Sequence, residues 1–159
     1  MTQVRGSSAD RVRAALSDLG FEFQVQELAH STRTALEAAQ ACRCYVGQIV
    51  KSLVFKGSVS QRPILAIVSG ANRVDEKKLG ALVGECVEKA NADYVRDQTG
   101  FAIGGVAPVG LAHTMDILID EDLLQYDCIW AAAGTPHAVF RVTPSDLVKM
   151  TAGQVVRLK

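Results

Sequence analysis

Two apolar stretches near the middle of the chain decide the fold: Ile49-Val50-Lys51-Ser52-Leu53-Val54-Phe55 and Ile64-Leu65-Ala66-Ile67-Val68. Both are rich in β-branched residues and are apolar over most of their length, which is typical of strands covered on both faces of a sheet. The segment between them, Gly57 to Pro63, contains turn-forming residues. The sequence therefore predicts two interior strands joined by a turn.

Helix and strand signals alternate irregularly on both sides of this pair. Ser7 and Ser8 can cap a first helix that Gly20 ends, and Thr34 with Glu37 forms a capping-box pattern for a second. Further helices are predicted to start near residues 75, 92 and 144, and further strands are predicted over 21–26, 86–89, 115–119, 129–133, 138–142 and 154–158.

This order of elements predicts an α+β domain. About seven strands and about five short helices follow one another without the regular alternation of a doubly wound sheet or the hairpins of a sandwich. We expect a mixed, strongly curved sheet or a closed barrel with short flanking helices. The chain has 159 residues and no linker, so we expect residues 1–159 to form one domain.

Charge and composition limit the classes of function. Lys and Arg number 17, as do Asp and Glu, so the formal net charge is zero. That balance argues against a broad basic face for nucleic acid but leaves room for a local patch that binds one end of an RNA. No apolar run approaches a membrane span, and the polar stretch Met1–Asp10 lacks a secretory signal, so we expect a cytoplasmic protein without membrane contact.

The four cysteines do not predict a metal site. Cys42 and Cys44 form a C-x-C, but no second Cys/His pair accompanies them at zinc-site spacing. We therefore expect free, mostly buried thiols, no bound metal and no cofactor.

Three features are candidates for chemistry. Lys51 shares the face of its strand with Ile49, Leu53 and Phe55, so it either lies at the wet start of the strand or projects into a pocket to bind an anion or a hydroxyl-rich substrate. The loop Gly104-Gly105-Val106-Ala107-Pro108 is either a tight connection or a device that aims backbone N–H and C=O groups at a reacting carbonyl or a water.

The third feature is the turn Gly134-Thr135-Pro136-His137, whose histidine is either plain surface or a donor to substrate. His30 and His113 are weaker candidates. No nucleophile elbow or Ser-His-Asp order is visible, so a covalent mechanism is not indicated.

Together these segments resemble the YbaK/ProX family of editing proteins, which includes the editing domain of bacterial prolyl-tRNA synthetases. The resemblance runs from about Ala9 to Gly153 and rests on four segments in order: Gly47–Phe55, Arg73–Leu79, Gly100–Pro108 and Trp130–Met150. It implies a mixed α+β barrel and hydrolysis of the ester between an amino acid and the terminal ribose of a tRNA. It also implies that Lys51 is the functional lysine and that Gly104 to Pro108 is the functional glycine loop.

From this resemblance we expect a metal-independent deacylase that removes a mischarged small residue, with alanine or cysteine on tRNA(Pro) as the leading candidates. Lys51, Gly104 and Gly105 would carry catalysis, and substrate contacts would come from Ser52, Val106, Pro108, Gly134 and His137. The expected partners are the aminoacyl-tRNA acceptor end and prolyl-tRNA synthetase.

Two departures leave the substrate open. Ser52 follows the lysine, whereas some alanine-editing relatives carry asparagine at this position. Leu111-Ala112 precede His113, whereas many relatives have histidine directly after the P-x-G of the glycine loop. Serine or threonine on other tRNAs thus stays a candidate, because one methylene is worth only about 1–3 kcal/mol in a pocket. Two other hypotheses remain: a non-catalytic module that binds a tRNA end or a synthetase, and a hydrolase of another small ester or amide.

Overall fold

The computed structural model describes residues 7–29 and 34–159. Its α-helices are α1 (Ser8–Asp18), α2 (Ala35–Cys42), α3 (Glu76–Val83), α4 (Ala92–Thr99) and α5 (Pro144–Thr151). Its strands are β1 (Val25–Glu27), β2 (Val50–Gly57), β3 (Pro63–Ser69), β4 (Val87–Lys89), β5 (Asp116–Asp120), β6 (Ile129–Ala132), β7 (Ala138–Val142) and β8 (Gln154–Val156). Short 3-10 helices cover Val46–Gln48 and Glu121–Gln125.

The strands form two sheets, which confirms the predicted α+β class. The larger sheet has the order β4-β2-β3-β5-β8 and is mixed, since β2 pairs antiparallel with β3 and β4 whereas β5 pairs parallel with β3 and β8. The smaller sheet has the antiparallel order β1-β7-β6. Within the described residues the two sheets are joined by a parallel bridge between Ile49 and Trp130.

Two details of the sequence prediction need correction. No closed barrel is found among the described strands, which form two sheets joined by the single bridge at Ile49, directly before β2. The described residues also hold eight strands instead of about seven, and the strand predicted over 21–26 is limited to Val25–Glu27. Phe21 and Phe23 instead stack on each other, with ring centroids 5.7 Å apart, and Phe23 packs 6.2 Å from Phe140.

The predicted helix starts are confirmed by their capping bonds. The Ser7 hydroxyl accepts from the Asp10 N–H, and the Thr34 hydroxyl accepts from the Glu37 N–H, each at 3.1 Å. Asp75, Asn91 and Thr143 cap the other three α-helices in the same way. No helix in the described part of the chain has the length and apolarity that a bilayer crossing requires.

The two faces of β2 belong to different hydrophobic clusters. Val50 and Val54 pack into the main core, which β2 shares with α1, α5 and the strands of the smaller sheet. Leu53 and Phe55 point the other way, into a second cluster that includes Leu79 of α3. The next strand is buried on both faces as predicted, because Ile64 to Val68 have no exposed surface.

Asp120 is a buried carboxylate at the end of β5, with 1% of its surface exposed. It accepts hydrogen bonds from the Ser69 N–H at 3.1 Å, from the Asn72 amide at 2.9 Å and from the Asp122 N–H at 3.0 Å. Since β3 and β5 are parallel neighbours, this side chain closes the ends of both strands and holds the loop that follows β3. Three donors compensate the cost of burying the charge.

We predict that Asp120→Asn lowers the free energy of unfolding by about 1–3 kcal/mol, because the amide nitrogen would face donors that now have an acceptor. Urea denaturation measures the change. The control is Asp97→Asn on the exposed side of α4, for which a change within about 0.5 kcal/mol is expected. Equal midpoints for the two variants would contradict the structural role assigned to Asp120.

Candidate active site

A cavity of about 390 Å³ lies where β2 and β6 separate. Its walls are mostly apolar side chains of β2, β6, α2 and α4, and the glycine loop closes one side. Of the residues predicted for the site, Lys51, Ser52, Gly104 and Val106 line it. The other lining residues are Thr34, Ala35, Ala38, Ile49, Val50, Leu53, Val54, Phe55, Lys89, Ala90, Val95, Ile103, Trp130, Ala131, Ala132 and Val139.

Lys51 is half-buried and is held by the loop after β3. Its Nζ donates to the Asn72 backbone carbonyl at 2.6 Å. The side-chain amide of Asn72 in turn donates to Asp120 at 2.9 Å and to Asp122 at 2.8 Å. A chain of hydrogen bonds therefore runs from the buried carboxylate to the lysine, so the position of the ammonium depends on the end of β5.

The surroundings lower the pKa of Lys51. Burial is the main cause, since it penalises the charged ammonium, and the positive charge of Arg73 acts in the same direction. Asp120 opposes the shift by favouring the protonated form, whereas Lys89 adds to it. An ammonium has three N–H donors and Asn72 takes one, so this group can still bind an oxygen-rich ligand.

The glycine loop and the turn before β7 touch each other. A Cβ added to Gly105 would lie only 2.8 Å from the Thr135 Cα, so a side chain at position 105 has no room. Gly104 has a φ of +89°, and the Gly105 N–H donates to the Ala102 carbonyl at 3.0 Å. Gly104 and Val106, on either side of this contact, line the cavity.

Four of the predicted site residues do not line the cavity. Gly105 and Pro108 are buried behind the loop surface, and Gly134 is buried against α1, where an added Cβ would lie 2.6 Å from the Ser8 carbonyl oxygen. His137 is exposed, and its backbone carbonyl accepts from the Leu28 N–H at 2.6 Å. His113 is also exposed, and His30 lies outside the described residues.

Sequence reasoning missed the residues that support the site from behind. Asn72 has no pattern that distinguishes it from any loop residue. Asp120 directly follows the apolar run Ile117–Ile119, but an aspartate is rarely buried unless it is paired, so its position alone did not predict this role. The small residues Ala131 and Ala132 were recognised as strand but not as a cavity wall, since only the separation of the sheets exposes them to it.

Ser52 carries a buried hydroxyl oxygen without a hydrogen-bond partner among the described residues. Such an atom costs about 1–3 kcal/mol compared with a satisfied one. Its position in the cavity wall agrees with a group that is kept for a ligand rather than for stability.

The four cysteines are free thiols as predicted, but the prediction that they are mostly buried is wrong, because Cys86 is exposed and Cys42, Cys44 and Cys128 are only half-buried. Burial raises the pKa of Cys42 to about 11, so this thiol is a poor nucleophile at neutral pH. No group of three His, Cys, Asp or Glu side chains in residues 7–29 and 34–159 is arranged to hold a metal ion.

The fold and the cavity define an α+β domain in which a desolvated lysine and a backbone loop meet at one small apolar chamber. A family model for the aminoacyl-tRNA editing domain matches residues 29–150. The chain therefore belongs to the aminoacyl-tRNA editing domain family.

Known proteins of similar sequence and structure agree with this assignment. YwhH of Bacillus subtilis is 30% identical over 93% of this chain and 94% of its own length. EbsC of Enterococcus faecalis, described as a candidate Cys-tRNA(Pro)/Cys-tRNA(Cys) deacylase, is 27% identical over 79% of this chain and 76% of its own. A crystal structure of a candidate trans-editing enzyme for prolyl-tRNA synthetase is 51% identical, with a TM-score of 0.91 over 98% of this chain and 99% of that one.

We predict that Gly105→Ala displaces the turn at Thr135 and costs about 1–3 kcal/mol of stability, because the added methyl group overpacks a backbone contact. The control is Gly84→Ala, where φ is +85° and nothing lies within 4 Å. There we expect only the backbone strain of about 1–2 kcal/mol. Amide NMR spectra check the geometry: the Thr135 signal should move in Gly105→Ala and stay in place in Gly84→Ala.

Proposed function

We propose that this protein is an aminoacyl-tRNA deacylase that hydrolyses the ester of a mischarged small amino acid in trans, with residues 1–159 acting as one editing domain in the cytoplasm. The observation that carries the proposal is the cavity in which Lys51 and the Gly104–Val106 backbone meet in a member of the editing family. Alanine or cysteine on tRNA(Pro) is the leading substrate; the description of EbsC names Cys-tRNA(Pro), and that of the trans-editing structure names prolyl-tRNA synthetase.

The proposed chemistry is direct attack of water on the ester carbonyl carbon. The tetrahedral intermediate collapses with cleavage of the bond to the ribose oxygen, which takes a proton, and the free amino acid and tRNA leave. An aminoacyl ester is already activated, so positioning and charge stabilisation supply most of the acceleration. None of these steps requires a metal ion, and a neighbouring ribose hydroxyl can relay the proton where no protein base is evident.

Each site residue has a proposed role in this scheme. Lys51 binds phosphate or ribose oxygens of the terminal adenosine as a point charge. Backbone groups of Gly104 and Val106 hold the aminoacyl end and the attacking water, and Gly105, buried between them, keeps the loop in the shape that catalysis needs. Pro108 and Gly134 support this loop from behind. His137 is exposed, so its substrate contact would be with the part of the tRNA that stays outside the cavity.

The apolar walls favour a small acyl side chain. Ala131 and Ala132 carry methyl groups and Val106 carries an isopropyl group, and an apolar chamber of this type selects side chains by volume. Serine and threonine remain secondary candidates because the Ser52 hydroxyl is unpaired. With zero net charge, we expect modest affinity for tRNA alone and a gain in specificity from prolyl-tRNA synthetase.

A panel of tRNAs carrying labelled alanine, cysteine, serine or threonine tests the function. Lys51→Ala should lower kcat/KM on the best substrate by about 10²–10³-fold, because it removes the charge that holds the substrate. The matched control is Lys56→Ala, which removes a lysine of the same strand that pairs with Glu88 at 3.6 Å and lies outside the cavity lining. Binding of tRNA without turnover of any substrate would favour the non-catalytic module.

The pH dependence should report the lowered pKa of Lys51. If the protonated ammonium binds substrate, activity falls as pH rises through that pKa, so the fall begins below the ordinary lysine value of 10.5. Initial rates between pH 7 and pH 10, corrected for spontaneous hydrolysis, measure it. In Lys51→Arg the guanidinium stays charged, so any remaining activity should lack this fall. An identical alkaline fall in both proteins would assign it to another group.

A further inference from the structure

The backbone of Ser52 points into the gap between the sheets. In an antiparallel strand, the N–H and C=O groups of alternate residues face opposite edges. The Ile49 carbonyl accepts from the Gly70 N–H at 2.7 Å, on the edge that faces β3. The Val54 carbonyl accepts from the Ala90 N–H at 3.2 Å, on the other edge. Ser52 lies two residues before Val54, so its N–H and C=O face the same edge as those of Val54, away from β3.

The backbone of Ala132 points into the same gap from the opposite side. The Ala133 N–H donates to the Ala138 carbonyl at 2.8 Å, so Ala133 faces β7. Ala132 has the opposite parity, and its N–H and C=O therefore face β2. Both Ser52 and Ala132 line the cavity.

Neither residue has a strand to pair with at this edge. The sheets are bridged at Ile49 and Trp130, and β4 pairs with β2 only from Phe55 to Gly57. Between these points β2 and β6 form no ladder within the described residues. Unpaired backbone groups in a cavity wall are satisfied by water or by a ligand. The fork between β2 and β6 is thus an empty strand position about one residue long.

We propose, on the basis of the proposed function, that this fork is a subsite for the α-ammonium group of the aminoacyl moiety. The ammonium donates to the Ser52 and Ala132 carbonyl oxygens, while the ester carbonyl lies toward the Gly104–Val106 backbone. The subsite binds the α-ammonium group, which all aminoacyl substrates share, whereas the apolar walls select the side chain.

The described lining of the cavity offers hydroxyl and carbonyl oxygens to an ammonium but no carboxylate, and the carbonyl oxygens are the acceptors that we assign to it. The Lys51 side chain belongs to the face of β2 that carries Leu53 and Phe55, and Asn72 holds its ammonium.

The decisive experiment compares three esters on one tRNA: alanyl, lactyl and propionyl. Propionyl lacks any donor at the α-carbon, and lactyl has a neutral hydroxyl in place of the ammonium. Each enzymatic rate is divided by the spontaneous hydrolysis rate of the same ester, because the ammonium also activates the ester chemically. We expect this acceleration to be at least about tenfold lower for propionyl than for alanyl, with lactyl between them.

Two variants locate the effect. Ser52→Ala keeps the backbone carbonyl, so the alanyl-to-propionyl ratio should remain. Ala132→Pro places a proline ring in the fork, which blocks the proposed subsite. It removes no hydrogen bond to β7, because the Ala132 N–H faces away from that strand and proline is tolerated at such a position. The alanyl-to-propionyl ratio should therefore fall toward one. Thermal unfolding checks that Ala132→Pro folds. If this variant does not fold, the comparison of the three esters with the wild-type protein decides whether the subsite exists.

The outcomes separate the subsite from the function. Equal acceleration of alanyl and propionyl esters would overturn the subsite and leave the deacylase intact. No acceleration of any ester would overturn the proposed function itself. A ratio that is lost in Ser52→Ala but kept in Ala132→Pro would also overturn the subsite, because it would assign recognition to the hydroxyl instead of the backbone.

Discussion

The site depends on the point at which backbone pairing between the two sheets stops. Ile49 and Trp130 form a parallel bridge, and β2 and β6 then separate within the described residues. If the pairing continued, the sheet would run on across this point and the cavity would be filled with hydrogen-bonded backbone. Because it ends after one bridge, the two strands leave a chamber between them that is lined mostly by apolar residues.

The position of the lysine depends on a second constraint, the burial of Asp120. A carboxylate with 1% exposure must be satisfied by donors, and the donors available are the ends of β3 and the loop that follows. By holding the Asn72 side chain, this carboxylate places the Asn72 carbonyl where it accepts from Lys51. The hydrogen bonds that buried Asp120 needs therefore also orient the Lys51 ammonium, so the same contacts serve stability and the site.

The glycine loop gains its shape from contacts with distant parts of the chain. Gly105 lies against Thr135, and Gly134 lies against Ser8 at the start of α1. The resulting stack of α1, turn and loop is held by close backbone approach rather than by side chains. Glycine is required at these points because any Cβ would meet backbone atoms that cannot move aside cheaply.

The sequence by itself determined the α+β class, the helix starts and the interior strands, because capping residues and apolar runs act over a few residues. It also indicated Lys51 and the glycine loop, since a charge on an apolar strand and paired glycines stand out locally. Only the tertiary structure decided that the strands form two sheets without closure, that His137 lies outside the cavity, and that Asn72 and Asp120 hold the lysine. Those outcomes depend on pairing between residues far apart in the chain, which no local pattern specifies.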